Sequence, residues 1–146
     1  MNILIAINTF IFLILSIIHI YWACGGKWAY YSVLPIKTDG QFLFKPSKLS
    51  TLMVACGFMI FALITAGNCG FMHKLLDRKY IHYGTWGIAI IFIVRAIGDF
   101  KFVGFAKTIK STPFAINDNK IFSPLSLIIG MMSLLIAELA PVSAGA

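Results

Sequence analysis

Arg95 stands inside an otherwise apolar run, Ile81–Phe100, with Asp99 four positions behind it. On a helix that spacing puts both side chains on one face, at the separation of an ion pair. A guanidinium in such a setting can hold a carboxylate or phosphate through paired hydrogen bonds. A second group of polar residues, Asn8, Thr9, Ser16 and His19, lies in the first apolar run. At 100° per residue these four fall within about 100° of arc, a stripe that faces protein or water rather than lipid. His19 adds a group that titrates near neutrality.

These residues point to three chemistries. In the first, Arg95, Lys101 or Lys107 forms a cationic pocket with His19 that binds or translocates a small anionic or lipid-headgroup ligand. Asp99 orients Arg95, Trp22 and Trp28 roof the pocket, and protonation of His19 gates it. In the second, the chain is a membrane-embedded enzyme acting on a lipid-soluble substrate, with His19 as acid/base and Arg95 stabilising developing negative charge. In the third, the polar residues lock helix register in a structural or regulatory bundle that meets a protein partner. The plainest reading has Arg95 snorkelling to nearby headgroups, neutralised by Asp99, and His19 packing as a hydrogen-bonded residue.

Motifs narrow the field. No nucleophile elbow, H-E-x-x-H or Gly-rich phosphate loop is present, so no cofactor is indicated. Three scattered histidines and three scattered cysteines give no metal-ligand spacing. The odd cysteine count argues against a disulfide framework, and Cys24, Cys56 and Cys69 read as buried thiols. A net charge of +7 does not point to nucleic acid, because the basic residues lie in loops, where topology and anionic headgroups account for them. Membrane lipids are the partners this implies.

The elements that position these groups are four apolar stretches, about 3–24, 49–69, 81–100 and 124–140. Most match the roughly 20 residues a helix needs to span a bilayer core. Sixty per cent hydrophobic residues and 12% charged ones leave too little polar surface for a soluble fold of this size. The runs are too long for barrel strands and lack two-residue alternation. The expected fold is all-α, an integral membrane four-helix bundle forming one domain over 1–146. Its two long loops lie on one side, opposite the termini. The first run lacks the basic leader of a signal peptide and reads as a retained helix.

The long loops carry Lys27, Lys37, Lys45, Lys48, Lys101, Lys107, Lys110 and Lys120, against Lys74, Arg78 and Lys79 in the short one. That bias places the long loops in the cytoplasm and the termini outside a cell membrane. Ser47 or Ser50 is expected to cap the second helix and Ser123-Pro124 to start the fourth. Ala62, Ala66 and Gly70, then Ser126, Gly130, Ser133 and Ala137, form small-residue rows for close helix packing, with homo-oligomer formation as the alternative. Phe102, Phe105, Ala106 and Ile109 share a helical face, so an amphipathic interfacial segment is expected after the third helix. The alternative is an irregular loop whose phenylalanines plug the bundle mouth. His73 and His82 read as interfacial.

Three strings in order carry a family resemblance: His19-Ile20-Tyr21-Trp22-Ala23-Cys24-Gly25-Gly26, then Arg95-Ala96-Ile97-Gly98-Asp99-Phe100, then Thr112-Pro113-Phe114-Ala115 with Asp118 and Ser123-Pro124-Leu125. Together they resemble a family of small bacterial membrane proteins, the domain-of-unknown-function family numbered 3995. The resemblance covers nearly the whole chain and implies four transmembrane helices but no activity. It adds Asp118 to the candidate ligand-binding residues His19, Trp22, Arg95, Asp99, Lys101 and Lys107.

Overall fold

The computed structural model describes residues 1–37, 41–70 and 76–140. His73 and Lys74, expected at the short loop, lie outside the described residues. Among the described residues four helices are long and apolar enough to cross a membrane: α1 Asn2–Ala23, α2 Lys48–Gly67, α3 Arg78–Ile97 and α4 Pro113–Leu139. At a rise of about 1.5 Å per residue each covers roughly the 30 Å hydrocarbon layer. Their outer faces remain apolar, with Phe10, Met53, Ile90 and Ile128 exposed, a surface suited to acyl chains. The protein is an all-α four-helix bundle of the membrane-spanning kind, with its two long loops on one side. There a 3-10 turn, Tyr30–Ser32, touches the beginning of α4.

α1 packs chiefly along α2, and α3 chiefly along α4. The two hairpins meet around Phe12, Ala62, Ile88, Phe92 and Ile129. The Phe12 ring centroid lies 5.5 Å from that of Phe92 and 5.6 Å from that of Phe61. At Gly130 a Cβ would meet Ile93 Cγ1 at 2.9 Å and the Ala89 carbonyl at 3.3 Å, so the small residue sets the α3–α4 approach. Hydrogen bonds join the helices as well. Asn8 Nδ2 donates to Ser133 Oγ at 3.0 Å, Ser16 Oγ to the Ala55 carbonyl at 2.9 Å, and Asn68 Nδ2 to Thr85 Oγ1 at 2.9 Å. Two members of the polar stripe on α1, Asn8 and Ser16, are thus buried against protein.

Several boundaries differ from expectation. Ser47 does cap α2, its Oγ accepting from the Ser50 amide at 3.1 Å. α3, however, stops at Ile97, because Gly98 turns to φ 97 and leads the chain out. α4 begins at Pro113 rather than Pro124, with Thr112 Oγ1 accepting from the Ala115 amide at 3.1 Å. It runs on through a π-helical turn, Asp118–Phe122, into the α-helical Ser123–Leu139. Pro124 offers no N–H to the turn before it and crowds the carbonyl there, and the wider turn absorbs that conflict.

Between Gly98 and Thr112 the chain forms no helix, so the expected amphipathic segment is absent. It doubles back instead, and the amides of Phe105 and Ala106 donate to the carbonyls of Ala96 and Ile97 at 2.8 and 3.0 Å. The last carbonyls of α3 are satisfied by this fold-back. Phe105 is exposed and plugs nothing. The three cysteines are free but lie exposed, not buried as expected, since each sits on an outward face or helix end.

Candidate functional site

The end of α3, the fold-back after it and the π turn of α4 converge on Asp118. Its Oδ1 accepts from Arg95 Nη2 at 2.9 Å, and its Oδ2 from Lys107 Nζ at 2.9 Å and the Gly104 amide at 2.8 Å. Both Asp118 and Lys107 are wholly buried, while Arg95 keeps a third of its side chain exposed. Lys107 Nζ also donates to the Gly104 carbonyl at 2.8 Å and to Asn119 Oδ1. Three acceptors use up its three protons. Gly104 fits only without a side chain, since a Cβ there would lie 2.3 Å from Gly98 Cα and from the Ile97 carbonyl.

Asp99 does not pair with Arg95, which corrects the expected i, i+4 bridge. The spacing counts only while the helix continues, and α3 has ended two residues earlier. Asp99 Oδ1 accepts instead from the amides of Phe102, Lys101 and Val103, at 2.7, 2.9 and 2.9 Å. Slight burial pushes its carboxyl up, but those amides outweigh it and hold the group below its ordinary value. Lys101 is exposed, its Nζ 5.4 Å from the Phe102 ring centroid.

His19 and Trp22 sit elsewhere. A cavity of about 520 Å³ opens between α1, the segment from Trp28 to Val33, and the π turn. His19, Trp22, Trp28, Asn117 and Ile121 line it, together with Ile11, Ile14, Leu15 and Ile18 of α1 and apolar side chains of α4. The His19 Nδ1–H donates to the Leu15 carbonyl at 2.7 Å, leaving Nε2 as the ring's other polar atom. The ring packs 5.0 Å from Trp22 and 5.1 Å from Phe58 between centroids. Trp22 Nε1 donates to the Trp28 carbonyl at 2.8 Å, and so fixes the roof of the cavity. Arg95, Asp99, Lys101 and Lys107 do not line it.

The candidate residues therefore divide into two groups sharing one wall. The π turn presents Asp118 to Arg95 and Lys107 on one side, while its Ile121 and the preceding Asn117 line the cavity on the other. The cavity that His19 lines lies between α1 and α4, so His19 and Arg95 do not share it. Among the described residues no cluster of His, Cys, Asp and Glu is arranged to hold a metal ion. Sequence reasoning missed Asn117 and Ile121, whose only signal was a second cap-and-proline pair, Thr112-Pro113, upstream of Ser123-Pro124.

No curated protein and no solved structure matches the chain. The family model described as Protein of unknown function (DUF3995) matches residues 12–133, a span holding His19, the Asp118 cluster and the core of the bundle, and the chain belongs to that family.

Proposed function

We propose that this protein binds an anionic amphipathic molecule, with its apolar part in the His19 cavity and its charged end at the lysine-rich loops. The cavity carries the reading. Its volume of about 520 Å³ lies within the range of small-molecule sites, roughly 300–1,000 Å³. Its lining is apolar with few polar groups, as suits a lipid tail. Lys27 and Lys120 flank the lining residues Trp28 and Ile121 in sequence, and both are exposed. Lys37, Lys45, Lys48, Lys101 and Lys110 are exposed on the same side, so anionic headgroups are drawn to it.

Binding fits better than translocation, because the rings of Phe12, Phe58, Phe61 and Phe92 close the bundle below His19. Lys107 donates its protons to Asp118, Gly104 and Asn119, and Arg95 gives Nη2 to Asp118; neither lines the cavity, so the pair supports its wall rather than holding the ligand. The lysine bias favours a cell membrane location with both long loops in the cytoplasm.

Thermal unfolding in detergent with added anionic, zwitterionic or neutral lipid tests the proposal. Anionic lipid is expected to stabilise wild type most, and Ile14→Trp, which fills the cavity from its exposed lip, should lose that shift. Equal shifts in the two proteins would sink it.

A further inference from the structure

We propose that the half of the bundle nearer the termini holds a buried water-binding site built by one polar side chain from each helix. Asn8, Thr65, Thr85 and Ser133 are each completely buried. Each lies three or four residues, one helical turn, from a member of the apolar cluster: Asn8 from Phe12, Thr65 from Ala62, Thr85 from Ile88, Ser133 from Ile129. Chain direction places all four on the same side of that cluster, towards the termini. Four polar residues thus occupy one layer of a bundle whose next layer is wholly apolar.

Hydrogen bonds tie the layer together without completing it. Asn8 Nδ2 donates to Ser133 Oγ, and Thr85 Oγ1 donates to the Ile81 carbonyl at 2.8 Å while accepting from Asn68. Asn8 Oδ1 and Thr65 Oγ1 are buried and without a hydrogen-bond partner. Thr9 Oγ1, next along α1, shares that condition. Unpaired polar atoms inside a span are costly, and buried waters commonly answer two to four such groups at once.

Water matches the chemistry. It can donate to the Asn8 carbonyl oxygen and exchange a hydrogen bond with the Thr65 hydroxyl. A cation fits less well, since no carboxylate lies in the layer and hydrogen bonds already engage Ser133 and Thr85. The site is separate from the His19 cavity, and the aromatic cluster stands between the two. The inference does not depend on the proposed function.

Solution NMR of the whole chain in bicelles tests it, through water-to-protein cross-peaks at the Asn8 side-chain amide and the Thr65 methyl. Both are expected in wild type, with the Asn8 peak lost or weakened in the near-isosteric Thr65→Val. Absence of both peaks from a folded, assigned wild-type spectrum would overturn the proposal without any variant. So would an Asn8 shift driven by sodium but not by potassium at constant ionic strength, which would make the occupant an ion.

Discussion

Arg95 and Asp118, 23 positions apart, meet at 2.9 Å between Nη2 and Oδ1 across the α3–α4 interface. Asp118 holds two cations and one backbone amide, so it ties the end of α3, the fold-back and the π turn to one carboxylate. The cluster keeps a buried charge satisfied and sets where the cavity wall stands.

Removing that carboxylate strands Lys107 in a wholly buried site. Breaking a buried pair from one side costs about 3–5 kcal/mol. Asp118→Ala is therefore expected to lose about that much in unfolding measured in micelles, whereas Asp99→Ala, at an exposed carboxyl, loses far less. Equal losses would mean that Asp118 does not organise this end of the bundle.

Asp99 gives a pH dependence of known sign. Its carboxyl is held below the unfolded value of about 3.9, so its contribution is complete above that pH. The contribution disappears as pH falls through the lower folded value. Hydrogen-exchange protection of the Lys101, Phe102 and Val103 amides is expected to fall selectively under acid, and Asp99→Asn should flatten the response. The same acid response in Asp99→Asn as in wild type would show that the carboxylate does not hold the turn.

Native cysteines report orientation. Cys24 lies at the loop-one end of α1 and Cys69 just beyond α2 at the opposite end, and both are exposed. With the long loops cytoplasmic, an impermeant maleimide is expected to label Cys69 in intact cells and Cys24 only after permeabilisation. Cys24→Ser and Cys69→Ser assign the bands. The reverse pattern would invert the proposed topology.

Long apolar runs made the spans legible, because periodicity and length act over some twenty residues. The inward face of α1 was legible too, since four polar residues share one arc. Arg95 stood out as a charge inside an apolar run, but its partner did not. Asp99 had the local spacing, and only the early turn at Gly98 shows that it misses. Asp118 pairs through tertiary contact, which spacing in the chain does not encode. The start of α4 was obscured by two successive cap-and-proline signals, Thr112-Pro113 and Ser123-Pro124. The second sits inside the helix behind a π turn.

That wide turn makes chain length a determinant at this place. Each residue of an α-helix advances about 100° around the axis. Deleting one between Asp118 and Pro124 would let the ladder tighten and rotate everything upstream relative to Ser123–Leu139. The acid would swing off its cations while Asn117 left its place beside the imidazole's chamber. A one-residue loss in this stretch thus acts as a twist through the whole long-loop mouth of the bundle, where the same loss in a surface connection would only shorten it.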